Sequence, residues 1–277
     1  MDDHYFGTLK ERVSAFMNEL DEELWKLGVL AKTEHNEVAP AQHELAPIYT
    51  TTNIAADHNQ ITMELMQKLA RKYDMVCLLH EKPFAGINGS GKHDNWSITT
   101  PAGVNLLNPG KTPRENAQFL VFLCAVISAI DNHAELIRAS AANAGNDHRL
   151  GAQEAPPAII SIFLGDELTE VLEQIEKGEK HPTNFGGVLD IGVPSLPNLS
   201  LDTTDRNRTS PFAFTGNKFE FRMVPSSASI AGPNTVLNTI VAESLCAIAD
   251  RLESATDFNK ELNELLAEII TKHKRII

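Results

Sequence analysis

The run Lys82-Pro83-Phe84-Ala85-Gly86-Ile87-Asn88-Gly89-Ser90-Gly91-Lys92-His93-Asp94-Asn95-Trp96-Ser97-Ile98 has two readings, and each implies a different architecture. Gly86 to Lys92 fits G-x-x-x-x-G-K, the phosphate-cradling loop that joins a strand to a helix, and this would make the chain a P-loop α/β protein. His93, however, stands where that loop carries Ser or Thr. Asp94 to Thr100, closed by Pro101, alternates as a short strand and lacks the pattern of the required helix. A two-residue period sends His93, Asn95 and Ser97 to one face and Trp96 and Ile98 to the other. One face is then open to a ligand and the other joins a core. Taken alone, His93 is more often an ordinary half-buried imidazole.

Three further clusters share its chemistry. His35-Asn36-Glu37-Val38-Ala39-Pro40-Ala41-Gln42-His43-Glu44 brings two carboxylates and two imidazoles into one short stretch. Alternation puts His35 and Glu37 on one side of a strand, and Pro40 marks a bend that lets Glu37 and Glu44 converge. Carboxylate oxygens suit Mg2+ and Mn2+, and Mn2+ also accepts imidazole; a solvated acidic turn is the plainer alternative. Lys218 to Val224 alternates as a strand, with Phe219, Phe221 and Met223 buried and Lys218, Glu220 and Arg222 on the other face. Glu220 and Arg222 form either a surface ion pair of little consequence or a metal ligand beside an anion clamp. Asn146 to Pro157 is a polar loop holding Arg149 and Glu154, where exposed charge is the default, and Arg206 and Arg208 add fixed cations suited to phosphate. Together these residues suit phosphoryl transfer, in which positioning and charge neutralisation carry the catalysis.

The motifs HNEVAPAQHELAPIY, KPFAGINGSGKHDNWS, NDHRLGAQEAPPAIISIFLGDEL, RNRTSPFAFTGNKFEFR and SIAGPNTVLNTIVAE, in this order, closely resemble the catalytic domain of glutamine synthetases of the long type III form. The resemblance implies metal ligation by Glu37, Glu44, His93 and Glu220. It implies that Asn88 and Gly89 receive the amino-acid substrate, with Arg149 and Arg222 as the cations that hold its carboxylates or the moving phosphoryl group. Glu154 matches a flap glutamate that draws a proton from ammonium, Arg208 an arginine that stabilises phosphate charge, and Asn95 to Ser97 a nucleotide-contacting strand. The implied reaction uses ATP and Mg2+ or Mn2+, two or more per site, to ligate ammonia to L-glutamate through a γ-glutamyl phosphate. Family members form ring-shaped homo-oligomers of the dodecamer type. Asn95 replaces a histidine common in shorter relatives, and Ala213 and Phe214 lie near where those relatives place an arginine. By this resemblance residues 1–277 are one catalytic-domain-like region, incomplete at both ends, lacking an N-terminal β-grasp domain, a strand with two more metal-binding glutamates, and a C-terminal continuation.

A formal charge of -13 and a pI near 5.2 argue against nonspecific binding to nucleic acid or anionic membranes. The longest apolar run, Phe119 to Ile130, is too short to span a bilayer, and Met1 to His4 lack the features of a signal peptide. Cys77, Cys124 and Cys246 have no metal or redox spacing and are expected to be reduced and buried, as in a cytoplasmic protein. Helices are expected from a Thr8/Glu11 capping box to Gly28 and over Asn53 to Tyr73, Thr112 to Ser140 and Asp166 to Lys177, then from Pro233 to Ser254 and over Asn259 to His273. Strands without βαβ regularity give an α+β class, and the resemblance sharpens this to a curved, mainly antiparallel sheet backed by helices. The competing reading is a catalytically incomplete fragment or non-enzymatic assembly unit of the same fold. A P-loop kinase ranks last.

Overall fold

The computed structural model describes residues 7–152, 155–178, 188–189, 199–200 and 210–277. They gather into two compact units, each discontinuous in sequence: one within 1–94, 139–158 and 222–235, the other within 95–138, 159–221 and 236–277.

In the first unit, α1 (Glu11–Lys26) presents Met17, Leu20 and Leu24 inward at helical spacing. Leu20 and Leu24 pack with Val29 and Ala31, joined by Leu65, Met66 and Leu69 of α2 (Thr52–Lys72). The Lys72 ammonium and the Tyr73 hydroxyl both donate to Glu19 of α1, at 2.6 Å. The expected capping box does not form: Lys10 occupies the N-cap without a side-chain bond, and the helix begins at Glu11. Between α1 and α2 runs an antiparallel hairpin, β1 (Ala31–Asn36) and β2 (His43–Pro47). The short helix α5 (Ala144–Asp147) also belongs to this unit.

A four-stranded sheet has the order β3-β8-β7-β4, formed by β3 (Lys92–Trp96), β4 (Ile162–Phe163), β7 (Phe212–Phe214) and β8 (Phe219–Val224). β7 runs antiparallel to β8 and parallel to β4. A further antiparallel pair joins β5 (Val188–Leu189) and β6 (Leu199–Ser200). The strand expected over Asp94 to Thr100 is thus shifted toward the glycine loop, and beyond it Thr99 makes an isolated bridge to Asn105.

The second unit is built on aromatic stacking. Phe212 lies face to face with Phe219, centroids 4.7 Å apart, and Phe214 meets Phe219 edge-on at 5.2 Å. Fully burying each such ring contributes roughly 1.5–3 kcal/mol. Behind them α3 (Ala117–Asn132) is buried almost all round. Its Ala125 forms a core with Ile248 of α7 (Ala231–Glu253) and Leu265 of α8 (Phe258–His273). α6 (Asp166–Glu176) completes the helical set near its expected bounds. The single helix expected over Thr112 to Ser140 is corrected to three pieces: a 3-10 turn at Pro113–Glu115, α3, and α4 (Ala134–Ser140), with a 79° bend between the last two. Asn116, not Thr112, caps α3 by accepting the Phe119 N–H. No single described helix is long and apolar enough to cross a membrane.

Candidate functional site

The β1–β2 register sets His35 opposite Glu44 and Asn36 opposite His43. β1 ends at Asn36, so Glu37 opens the connecting turn, which closes through Glu37 N–H to the Gln42 carbonyl at 2.9 Å. Ala41 completes the turn in the left-handed region at φ 58. This bend turns Glu37 back toward β2. Ligand atoms of His35, Glu37 and Glu44 all lie within 4.8 Å of one another. His35 Nε2 is 3.0 Å from Glu44 Oε2, while its Nδ1 is 2.9 Å from the Asn36 carbonyl. Two carboxylates and an imidazole at this spacing have the donor types that hold Mg2+ or Mn2+, so the residues fit the metal that the sequence implies.

The glycine loop is bolted to this hairpin. The Gln42 side-chain amide donates toward the carbonyls of Ser90 (3.1 Å), His80 (3.2 Å) and Glu81 (3.3 Å), and its oxygen accepts the Ser90 N–H at 3.0 Å. The Ser90 hydroxyl in turn donates to Glu37 Oε2 at 3.1 Å. Gly89 is buried against the Glu81 carbonyl and the Lys82 Cα, leaving no room for a Cβ. At Gly91 a Cβ would overlap the Arg149 guanidinium and come within 2.9 Å of the Val224 carbonyl. Asn88, half-buried, sits on the same loop. Glu81 is a buried carboxylate that accepts the Ser226 N–H.

β3 alternates as its sequence requires. His93 and Asn95 are exposed, Asp94 and Trp96 buried, and Trp96 Nε1 donates to Asn238 at 2.9 Å. The Ser97 hydroxyl lies within hydrogen-bond distance of Asn105 and of the Asn217 carbonyl. A strand, not a helix, therefore follows Lys92, which removes the P-loop reading. Lys92 is also spoken for, donating to Asn59 and to the Ala228 carbonyl. Burial pushes its ammonium down to about 8, against the opposing pull of Glu81 and Asp94. Burial likewise pushes Asp94 up to about 6, although Asn234 donates to it at 2.9 Å and Lys92 favours its charge.

Glu220 is half-buried on β8, opposite Ala213 of β7, and β8 neighbours β3, the strand that bears His93. The expectation that Arg222 shares a polar face is corrected: it is 3% exposed, because β8 is an inner strand covered on both faces toward its end. Arg149, expected to add little to packing, is 2% exposed. Its Nε donates to Asn146 at 2.9 Å and a terminal nitrogen to the Arg222 carbonyl at 3.1 Å. Asn146 is itself fixed by the carbonyls of Ala141 and Met223. Glu154 and Arg208 lie outside the described residues. Of the cysteines only Cys124 is buried, with its thiol pushed up to about 12 by that burial; Cys77 is half-buried and Cys246 exposed. Sequence reasoning placed His35 beside Glu37 but missed Gln42 and Ser90. Neutral polar residues among carboxylates carry no spacing signal of their own.

Residues 2–160 match the family described as glutamine synthetase, catalytic domain. The whole chain is 54% identical to a glutamine synthetase of Butyrivibrio fibrisolvens, covering 40% of that protein. It is 51% identical to the type-3 glutamine synthetase of Dictyostelium discoideum, again over the whole chain and 38% of the relative. This chain therefore spans about two fifths of the length of these relatives. Among solved structures, the cryoEM structure of Plasmodium falciparum glutamine synthetase superposes with a TM-score of 0.59 at 17% identity, over 88% of this chain and 40% of that one. That likeness is one of fold.

Proposed function

This chain belongs to the glutamine synthetase family, matching its catalytic domain over more than half its length, and from that premise we propose that it forms the catalytic region of an ATP-dependent ligase. The proposed reaction joins ammonia to the side-chain carboxylate of L-glutamate through a γ-glutamyl phosphate. The observation that carries the reading is the hairpin with Glu37 and Glu44 converged and the glycine loop fastened to it through Ser90.

Glu37, Glu44, His93 and Glu220 are the proposed ligands of Mg2+ or Mn2+. When bound, these cations neutralise phosphate charge and polarise the phosphoryl oxygens. The glycine loop, which leaves no room for a Cβ at Gly89 or Gly91, offers Asn88 and Gly89 to the glutamate. Arg149, buried beside Gly91 of that loop, is proposed to hold, with Arg222, the substrate carboxylates or the moving phosphoryl group. Arg208 stabilises the transferring phosphoryl group, and Asn95 and Ser97 lie along the nucleotide path. Ammonium must lose a proton before its nitrogen can attack, a general-base task that falls to Glu154. We assign residues 1–277 to one catalytic-domain-like region of a cytoplasmic, ring-forming homo-oligomer.

The test is direct. With ATP, L-glutamate, ammonium and Mg2+ or Mn2+, the protein should release one phosphate per glutamine formed, and Glu37→Gln should abolish both. Cation binding by calorimetry without any glutamine would identify the non-enzymatic alternative. Absence of both cation binding and product would overturn the metal reading as well.

A further inference from the structure

We infer that His35 is itself a metal ligand, binding through Nε2 in the same cation site as Glu37 and Glu44, and that it biases that site toward Mn2+ over Mg2+. The inference rests on the metal reading above and goes past it, because the resemblance assigns His35 no role and leaves the choice of metal open.

Three observations converge. A backbone carbonyl accepts hydrogen bonds and never donates them, so the 2.9 Å contact of His35 Nδ1 with the Asn36 carbonyl requires the hydrogen to sit on Nδ1. In the neutral ring, Nε2 then carries a lone pair directed outward. Anchoring one ring nitrogen on a carbonyl in this way is the usual arrangement of a metal-bound imidazole, since it fixes both the tautomer and the ring orientation. Nε2 lies 3.0 Å from Glu44 Oε2 on the paired strand, an ion pair when the ring is protonated and a pair of donor atoms for one cation when it is not. A cation shared by both atoms makes this geometry favourable. Third, the Glu37 carboxylate completes a three-donor set within 4.8 Å, and its Oε2 accepts a hydrogen bond from the Ser90 hydroxyl.

The donor set has a consequence for selectivity. Mg2+ demands near-octahedral oxygen coordination and gives up its water reluctantly, whereas Mn2+ accepts imidazole nitrogen alongside carboxylates. Replacing the ring by an amide should therefore cost Mn2+ more than Mg2+.

The experiment loads the chain with Mn2+ and reads electron-spin-echo modulation from directly bound 14N, in parallel with calorimetric titration of Mn2+ and Mg2+. His93 is a second imidazole proposed as a ligand, so the comparison is made in His93→Asn protein with and without His35→Asn. Imidazole modulation should persist in the single variant and vanish in the double. His35→Asn alone should weaken Mn2+ binding by about 10–100-fold, the usual effect of disturbing a metal site's supporting groups or more, and Mg2+ binding by less. A matching melting temperature for His35→Gln guards against misfolding. Mn2+ bound without 14N modulation in His93→Asn protein, or with affinity unchanged in His35→Asn, would sink this inference and leave the proposed function standing. Failure of the unaltered protein to bind Mn2+ would remove both.

Discussion

Glu37 has one carboxylate oxygen committed before any cation arrives. The Ser90 hydroxyl donates to Oε2, and a Glu37 carboxylate oxygen lies within 4.8 Å of ligand atoms of His35 and Glu44. Groups that orient ligands from behind typically account for 10–100-fold in metal affinity. Ser90→Ala should weaken Mn2+ binding by roughly tenfold while shifting the melting temperature little, which calorimetry and a thermal melt on the same sample would show; equal affinity would mean that the hydroxyl is idle. Arg149 behaves in the opposite way. Its guanidinium is buried and bound to Asn146 and to the Arg222 carbonyl, so Arg149→Ala leaves buried partners unpaired and should cost about 3 kcal/mol of stability by urea unfolding. Arg149→Lys should restore little of this, because an ammonium cannot reproduce the fork. His35 and Glu37 were legible as neighbours because they lie two residues apart, although Glu37 falls in the turn beyond β1 and not in the expected strand. Ser90 was not, since its partner lies 53 residues away, and Arg149 looked like a surface charge because burial is a property of what folds over it.

Gln42 shows how one side chain can lock two pieces of backbone together. By bonding both the N–H and the carbonyl of Ser90, and reaching toward the carbonyls of His80 and Glu81, it mimics a strand pairing between the hairpin turn and the glycine loop. Gly89 in turn lets the loop backbone close on the Glu81 carbonyl. Gly89→Ala would thrust a methyl group into the Glu81 carbonyl, and overpacking of this kind costs about 1–3 kcal/mol. At about 2–4 °C of melting temperature per kcal/mol for a chain of this size, calorimetry would detect it; Gly86→Ala, where nothing lies within 4 Å of the added Cβ but φ is +73, should cost less. Helices such as α2, α6 and α8 were legible to within a residue or so, since their apolar period is carried by their own residues. The break between α3 and α4 was not. His133 leaves helical geometry at φ -124 and ψ 29 and pairs with Glu243, a partner far along the chain, and nothing in the local pattern of Thr112 to Ser140 announces it.

Across the molecule, sequence order and spatial order part company: each compact unit draws on three separated stretches of chain, so contacts that close it must be made late in sequence. One closure ties the last helix back to α3. His273 Nδ1 meets Asp131 Oδ2 at 2.7 Å and Arg275 Nε donates to Oδ1 at 2.9 Å, with the Asp131 and His273 side chains only 5% and 4% exposed. Burial alone would raise the Asp131 carboxyl, but the hydrogen bonds from His273 and Arg275, with their charges, outweigh it and hold it below the ordinary carboxylate range. A carboxyl depressed in the folded state binds fewer protons there than in the unfolded chain. Its stabilisation is therefore complete above the unfolded value, near ~4, and is lost as pH falls through the lower folded value. Asp131→Asn removes the charge from a buried pair and should cost about 3 kcal/mol at neutral pH. Urea titrations of both proteins from pH 7 down to about 3 should show this gap steady at first, then shrinking as the unaltered protein loses the same interaction by protonation. A gap of constant size across that range would mean that Asp131 holds the helices together through shape and neutral hydrogen bonds, with its charge contributing nothing.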